Sequence, residues 1–240
     1  MFRCLGLFVL IFCHFSSAKA ENQTINFLPH WVNQAQFAGY FAAADKGFYK
    51  TEGLDVNLLV GGPDSPPSKM LENGSADIIS TFLSAAVKKR SQGIRIVNIS
   101  QIVQRSSLML VARKSLGINS PHDLSGKKIG IWGEEFQIQP KALIKKFHIE
   151  AKLIPQSVSV NLFLRGGVDV ASAAWYNEYH TILNSGINAD ELTTIFYDQY
   201  GLNFPEDGLY CLEEYFTKNK EQICKFVRAS LNGWKWTLEN

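Results

Sequence analysis

Short β-type runs alternate with helical patterns along this chain from residue 24 onward, and this alternation constrains the fold more than any other feature of the sequence. The β-type run at residues 24–28 is followed by a helical pattern over residues 36–46, which Gly47 ends. The next β-type run, residues 54–60, leads into a turn rich in Gly and Pro. Strands and helices that alternate in this way are typical of an α/β protein with largely parallel sheets.

The alternation falls into two series, which predicts two lobes with separate cores. Ser120 and Pro121 start the second series, because Ser caps helices and Pro suits the first helical position. The predicted boundaries are residues 21–112 plus 209–240 for lobe 1 and residues 113–208 for lobe 2. The chain would then cross between the lobes near residues 112–114 and again near residues 202–209.

The first twenty residues have the composition of an export signal. Arg3 precedes an apolar run over residues 4–15, and small residues follow as far as Ala20. This order predicts a signal peptide, residues 1–20, and therefore an exported, periplasmic protein. The alternative is a membrane anchor, but the apolar run is shorter than the roughly 20 residues that cross a bilayer.

The distribution of charge excludes one class of partner. The 240 residues include 24 Lys and Arg against 22 Asp and Glu, and two of the basic residues lie in the predicted signal peptide. The rest of the chain is balanced and has no dense basic stripe, so nucleic acid is not an expected partner. The run Lys88-Lys89-Arg90 is typical of the solvated end of a helix.

The cysteines and histidines predict no metal site. Cys211 and Cys224 are the cysteines that lie beyond the predicted signal peptide. An exported protein meets an oxidising compartment, so they either form a disulfide or remain two buried thiols, and the sequence leaves both open. The histidines of the mature chain are too scattered to bind a metal ion together: His30, His122, His148 and His180.

Several blocks of the sequence resemble one known family. Residues 34–56, QAQFAGYFAAADKGFYKTEGLDV, resemble the opening of periplasmic solute-binding proteins of the thiamine-precursor type. These proteins are the substrate-binding components of ABC importers, in a family that also holds the fungal pyrimidine synthases of thiamine biosynthesis. Further blocks match in the same order: residues 61–64, 73–77, 123–130, 175–179 and 205–208.

The resemblance implies a fold and a way of working. Two α/β lobes joined by a hinge would close on a small heterocycle, without any cofactor. The closed protein, a monomer, would then be recognised by the membrane subunits of an importer. Family members continue for several dozen residues beyond the point that matches Asn240, and the closing helix has no cap there. We therefore interpret the C-terminus as truncated.

A thiamine-related pyrimidine is a flat ring, so its expected receptor combines aromatic faces with an anchored polar group. Four aromatic residues lie at the ends of predicted strands, where open α/β sheets bind ligands: Trp31, Trp132, Trp175 and Tyr176. Each of them could instead be a core or surface aromatic. Gln36 and Tyr40, on the first helix, are further candidates on the lobe 1 side.

Glu178 is the first candidate for the polar anchor. A carboxylate binds the amine and the protonated ring nitrogen of an aminopyrimidine with two hydrogen bonds. The resemblance also places a ligand-contacting Glu within residues 175–179. The alternative is a Glu that merely stabilises the start of a helix. Glu134, Glu206 and Asp207 are weaker candidates, because acidic loop residues are usually only solvated.

The same resemblance argues against an enzyme. After the strand at residues 77–80, the synthases carry a Lys that forms the Schiff base with pyridoxal phosphate, and a His one helical turn later. This chain has Thr81 and Ala85 at those positions, and neither can supply that chemistry. The sequence also has no nucleophile elbow, zinc-protease motif or phosphate loop.

Two functions remain open at this point. The first is an exported binding protein that delivers formylaminopyrimidine, hydroxymethylpyrimidine or a related heterocycle to an ABC importer. The second is the ligand-sensing domain of a longer membrane receptor. The natural sequence beyond Asn240 would separate them, since an apolar span there would favour the receptor.

Overall fold

The computed structural model describes residues 23–62 and 64–240, so the predicted signal peptide lies outside the described residues. The described residues form two five-stranded sheets. The strands are β1 (Gln23–Leu28), β2 (Leu54–Leu58), β3 (Ile78–Thr81), β4 (Ile96–Val103), β5 (Leu108–Arg113), β6 (Lys128–Ile131), β7 (Lys152–Pro155), β8 (Val170–Ala174), β9 (Leu192–Phe196) and β10 (Glu206–Leu212).

The helices confirm the predicted alternation. They are α1 (Ala38–Asp45), α2 (Phe48–Thr51), α3 (Pro67–Glu72), α4 (Leu83–Ser91), α5 (Ile138–Lys146), α6 (Asn161–Leu164), α7 (His180–Asn184), α8 (Glu213–Lys218) and α9 (Lys220–Glu239). Ser120 has the expected capping role, but the helix that it caps is a single 3-10 turn, Pro121–Leu124. Asp123 completes a capping box with Ser120.

The first sheet has the strand order β2-β1-β3-β10-β4. Strands β1, β2 and β3 are parallel, whereas β10 returns from the far end of the chain and lies antiparallel between β3 and β4. One face packs on α1 and α9 through Tyr40 and Phe226. The other face packs on α3 and α4 through Leu71 and Ala86. We call this sheet and its helices lobe 1.

The second sheet has the order β7-β6-β8-β5-β9. Strands β6, β7 and β8 are parallel, and β5 is antiparallel to both of its neighbours. Side chains of β5 alternate between two clusters, since Met109 packs with Phe163 of α6 while Leu110 packs with Leu143 of α5. The sheet is therefore covered on both faces, and we call it and its helices lobe 2.

The first predicted crossing between the lobes is wrong. The sequence analysis placed residues 108–112 in lobe 1, but β5 pairs with β8 and β9 in the second sheet. The chain therefore crosses between Val103 and Leu108. Length and periodicity could not reveal this, because a fully buried strand has the same apolar pattern in either sheet. The return crossing precedes Glu206, where β10 begins, so residues 206–208 belong to the first sheet rather than to lobe 2.

Helix α9 closes lobe 1 by packing very tightly on α1. A Cβ atom at Gly233 would lie 2.0 Å from the carbonyl oxygen of Gly39. A Cβ atom at Gly39 would lie 2.2 Å from the ring of Trp234. Glycine at both positions lets the two backbones approach. Helix α9 buries Ile223 and Phe226 in the lobe 1 core, whereas Leu238, near its end, is 82% exposed.

Both cysteines that the structure describes are free thiols, Cys211 buried and Cys224 exposed. Of the two alternatives that the sequence left open, the structure therefore shows free thiols rather than a disulfide. The expected burial is correct for Cys211 only. Among residues 23–62 and 64–240, every helix is too short or too polar to cross a membrane.

Candidate ligand-binding cleft

A cleft of about 720 Å³ lies where the parallel strands of both sheets end. His30 and Trp31 follow β1, and Gly62 follows β2. From lobe 2, Trp132 follows β6 and Gln156 follows β7. The carboxyl ends of parallel strands are where open α/β sheets bind ligands, so the position and size of this cleft identify it as the candidate site.

Aromatic rings from both lobes meet in the cleft. Phe136, from the 3-10 turn Glu134–Gln137 of lobe 2, lies 5.4 Å from Trp31 and 5.9 Å from Trp132 between ring centroids. Both pairs are edge-to-face. The Nε1 of Trp132 donates to the carbonyl oxygen of Ser157 at 3.1 Å, which fixes that ring. The result is an apolar, aromatic-lined space of the kind that holds a flat ring.

The motif Trp175–Tyr179 forms a π-helical turn directly after β8. Glu178 stabilises this turn, since one carboxylate oxygen accepts from the backbone N–H of Ala174 at 3.0 Å and the other from Nδ2 of Asn177 at 2.9 Å. The side chain thereby satisfies a donor at the start of the turn. Turns of this type often occur at functional sites, because the extra residue redirects side chains.

The π turn separates residues that the sequence treated together. Tyr176 and Glu178 line the cleft. Trp175 points elsewhere: it is 46% exposed and stacks on Tyr179, with 4.8 Å between ring centroids. Burial raises the pKa of Glu178, and the hydrogen bonds from Ala174 and Asn177 oppose that rise.

His30 forms part of the lobe 1 wall and is 3% exposed. Its Nδ1 lies 2.7 Å from Oδ1 of Asp207 and 3.2 Å from Oγ of Ser80. The contact with Asp207 has the distance of an ion pair, but Oδ1 of Asp207 accepts no hydrogen bond from the described residues. On the other side of the ring, Nε2 lies 3.3 Å from Nε2 of Gln36.

Two carboxylates lie beneath the cleft, at the return crossing between the lobes. Glu206 and Asp207 are 0% and 1% exposed, because β10 is an interior strand of the first sheet. The interpretation of Glu206 and Asp207 as solvated loop residues is therefore wrong. Burial raises the pKa of Glu206. Burial also raises the pKa of Tyr176, and the negative charges of Asp207 and Glu206 raise it further.

Glu206 joins the two crossings by hydrogen bonds. Its carboxylate accepts from the hydroxyl of Ser106, from the backbone N–H and the hydroxyl of Ser107 at 2.9 and 2.7 Å, and from the backbone N–H of Leu108 at 3.3 Å. Gln139 of α5 donates to Ser106 at 2.9 Å and to the carbonyl oxygen of Leu202 at 3.0 Å. These bonds hold residues 106–108 against residues 202–206.

The structure brings together five of the nine residues predicted for the site. These five line the cleft: Trp31, Gln36, Trp132, Tyr176 and Glu178. Tyr40 is fully buried in the lobe 1 core, 4.8 Å from Phe27 between ring centroids. Trp175 is on the surface, and Asp207 lies behind His30. The side chain of Glu134 lies outside the described part of the chain.

Sequence reasoning missed Phe136 and Gln156. Phe136 lies in a short turn without periodicity, so no local signal distinguishes it. Gln156 is buried and bonds the backbone of Ser172 in both directions, at 2.8 and 3.0 Å.

The cleft contains one of the two positions for which the resemblance to the synthases implies a reactive Lys or His. Ala85, on α4, lines it, and Thr81 ends the neighbouring strand β3 as a buried residue. Within the described ranges, no three His, Cys, Asp or Glu side chains are grouped as metal ligands.

Comparison with known proteins agrees with the fold. Residues 34–240 match the model of a family described as NMT1/THI5 like. The periplasmic aliphatic sulphonate binding protein SsuA from Escherichia coli superposes with a TM-score of 0.68 at 15% identity, over 91% of this chain and 76% of that one. The predicted two-lobe periplasmic binding protein fold is thus confirmed.

The curated relatives of this chain are named either as binding proteins or as synthases. The riboflavin-binding protein RibY of Chloroflexus aurantiacus is 26% identical over 93% of this chain and 65% of its own length. The formylaminopyrimidine-binding protein of Halalkalibacterium halodurans is 23% identical over 98% of this chain and 73% of its own. The 4-amino-5-hydroxymethyl-2-methylpyrimidine phosphate synthase of Schizosaccharomyces pombe is 26% identical over 62% of this chain and 41% of its own. The chain therefore spans less than two thirds of RibY and of the synthase.

Proposed function

Because the chain belongs to the NMT1/THI5-like family, we propose that it is a solute-binding protein whose cleft holds a flat, thiamine-related pyrimidine. The observation that carries this proposal is the group of aromatic rings that meet in the cleft from both lobes, Trp31 from one side and Trp132 and Phe136 from the other. A planar heterocycle placed among them would gain stacking and edge contacts on both faces.

Glu178 is the group we expect to orient the ring. Each of its carboxylate oxygens has accepted one hydrogen bond from the protein, and each can accept a second. The edge of an aminopyrimidine offers two such donors when its ring nitrogen is protonated. The raised pKa of Glu178 brings the carboxyl group and the ring nitrogen closer in proton affinity, which favours a shared proton and a strong pair of bonds.

Export, residence in the periplasm and delivery to the membrane subunits of an ABC importer form the rest of the proposal. Closure of two lobes on a ligand changes the surface around the cleft, which a membrane partner can sense. The role of sensory domain in a longer receptor remains the alternative, and it uses the same cleft.

We propose binding without catalysis. Relatives named as synthases exist, but Thr81 and Ala85 cannot form a Schiff base or act as an imidazole at the positions where the resemblance expects Lys and His. Incubation with pyridoxal phosphate followed by absorbance spectroscopy would test this step. An adduct that borohydride traps, and that forms only when the cleft is intact, would contradict the proposal of binding without catalysis.

The ligand proposal is tested by thermal unfolding with formylaminopyrimidine, hydroxymethylpyrimidine, thiamine and riboflavin. A ligand at about one hundred times its dissociation constant adds about 2.7 kcal/mol, which raises the melting temperature by about 5 to 10 °C for a chain of this size. We expect such a rise with a pyrimidine. If riboflavin alone produces it, the pyrimidine assignment is wrong, and if none of the four does, the proposed ligand class is wrong.

A matched pair of tryptophan variants tests the placement of the site. Trp31→Ala removes a ring from the cleft, whereas Trp175→Ala removes a ring that the structure places outside it. We expect the first variant to weaken binding at least tenfold and the second to leave it within about twofold of the wild type. Equal losses in both variants would contradict the placement of the ligand among Trp31, Trp132 and Phe136.

A further inference from the structure

The cleft has a basic rim on the lobe 1 side. Three lysines line it, Lys69 of α3 and both Lys88 and Lys89 of α4. Arg90, which completes the basic run in the sequence, does not line the cleft and instead donates to the carbonyl oxygen of Ile96 at 2.7 Å. The end of α4 therefore contributes two of its three cationic residues to the cleft.

One ion pair shows that these lysines belong to a single patch. Nζ of Lys89 lies 3.2 Å from Oε1 of Glu72, and this contact joins α4 to α3. Lys69 lies one helical turn before Glu72, so the two share a face of α3. Lys88 and Gln92 are also one turn apart, and both line the cleft. The two helices therefore bring Lys69 and Lys88 to the same side of the cleft.

The positive charge of this patch is only partly neutralised. Lys89 has a carboxylate partner, whereas neither Lys69 nor Lys88 forms an ion pair with any residue that the structure describes. In the same part of the chain, Glu178 is the only acidic residue that lines the cleft, and its partners are neutral donors. The cleft therefore carries an excess of positive charge, and this excess lies on the lobe 1 side.

Unpaired cations in a cleft select the charge of the ligand. The walls of a cleft concentrate the field of the charges that line it and so attract ligands of opposite sign. A lysine ammonium group offers three N–H donors, which suits an anion with several oxygens, such as a phosphate. Ser68 and Gln92 line the same side and can donate from a hydroxyl and a carboxamide.

From this arrangement we propose that Lys69 and Lys88 form an anion subsite, and that the ligand is a heterocycle that carries a phosphate group. The aromatic rings and Glu178 hold the heterocycle, and the two lysines bind the phosphate from lobe 1. Such a ligand contacts both lobes through charged groups, which favours closure of the cleft. The identity of the heterocycle rests on the proposed function, whereas the anion subsite does not.

The first test measures the preference for a phosphate group. Titration calorimetry compares 4-amino-5-hydroxymethyl-2-methylpyrimidine with its phosphate ester. We expect the ester to bind the wild type at least about tenfold more tightly, and this advantage to shrink as the salt concentration rises. The double variant Lys69→Gln/Lys88→Gln keeps two long polar side chains but removes both charges. It should bind the two compounds within about twofold of each other.

A matched control separates the subsite from the net charge of the protein. Lys50 of α2 and Lys152 of β7 are exposed, and neither lines the cleft. The double variant Lys50→Gln/Lys152→Gln therefore removes the same charge elsewhere and should keep the preference of the wild type. If the wild type binds both compounds alike, if the variant of Lys69 and Lys88 keeps the preference, or if the control loses it, the anion subsite is wrong.

The second test uses probes without a pyrimidine. Phenyl phosphate and inorganic phosphate are titrated with the protein and observed by ³¹P NMR. We expect phenyl phosphate to bind the wild type and the control, but not the variant Lys69→Gln/Lys88→Gln. If neither pyrimidine binds the wild type while phenyl phosphate behaves as expected, the proposed heterocycle is wrong and the anion subsite stands. Failure of phenyl phosphate to bind the wild type would overturn the subsite. Inorganic phosphate that binds as tightly as the pyrimidine ester would overturn the assignment of the anion to the ligand.

Discussion

Truncation of Glu206 is expected to loosen the junction between the two lobes. Its buried carboxylate accepts hydrogen bonds from two backbone N–H groups, of Ser107 and Leu108, and from the hydroxyls of Ser106 and Ser107. Glu206→Ala removes the acceptor from all four donors. Glu206→Gln keeps one oxygen in place, which can still accept from both backbone groups.

The expected cost depends on the partners that each donor can find afterwards. The hydroxyls can rotate to other partners, and the N–H of Leu108 also donates to Oγ of Ser106 at 3.3 Å. The backbone N–H of Ser107 loses its acceptor, and an unsatisfied donor of this kind costs about 1 to 3 kcal/mol. Glu206→Ala should therefore lower the free energy of unfolding by about 2 kcal/mol. Glu206→Gln should lower it by less than about 1 kcal/mol, because it keeps the acceptor for the backbone groups and relieves the burial of a charge.

Urea and thermal unfolding measure both values. The melting temperature should fall by about 4 to 8 °C in Glu206→Ala and by less than about 4 °C in Glu206→Gln. Glu214→Ala is the matched control, since Glu214 is exposed and pairs only with Lys218 on its own helix, and it should leave the stability unchanged. A Glu206→Ala variant within about 1 kcal/mol of the wild type, or one no worse than Glu206→Gln, would refute the reasoning.

The pH dependence gives a second measure of Glu206. Burial raises its pKa in the folded protein above 4.5, so the folded state binds this proton more tightly than the unfolded state does. The contribution of Glu206 to stability is therefore complete below the unfolded pKa and is lost as the pH rises through the folded pKa. The stability of the wild type relative to Glu206→Gln should be greater at about pH 4 than at about pH 8.

Two further predictions concern packing and thiol chemistry. Gly233→Ala should lower the free energy of unfolding by at least about 1 to 3 kcal/mol, because its Cβ would lie 2.0 Å from a backbone oxygen of α1, whereas Gly133→Ala, with open space around it, should be neutral in a urea titration. A thiol reagent should label Cys224 in the native protein and Cys211 only after unfolding, since burial raises the pKa of the Cys211 thiol to about 12. Mass spectrometry of the labelled peptides checks this, and rapid native labelling of Cys211 would contradict its burial.

The elements of this fold could be predicted because their signals are local. The helical spacing in residues 36–46 depends on neighbouring residues, as does the run of small and β-branched residues in β8. Blocks such as residues 34–56 carry a family resemblance for the same reason, and that resemblance supplied the two-lobe fold. Trp31 and Trp132 could be assigned to the cleft because a strand end is a position that periodicity reveals.

Other features depend on contacts between distant parts of the chain. Glu206 and Asp207 have the composition of a solvated loop, and only the insertion of β10 between β3 and β4 buries them. The sequence analysis grouped Trp175 with Tyr176, and only the π turn sends one to the surface and the other to the cleft.

The sequence by itself therefore determined the α/β class, the order of elements and the strand ends at which a ligand would be sought, because each depends on periodicity over a few residues. The tertiary structure alone decided which sheet holds β5, which acids are buried and which nitrogen of His30 faces Asp207. These outcomes are set by pairing between segments that lie far apart in the sequence. Burial and hydrogen bonding between such distant segments cannot be predicted from the local pattern of side chains.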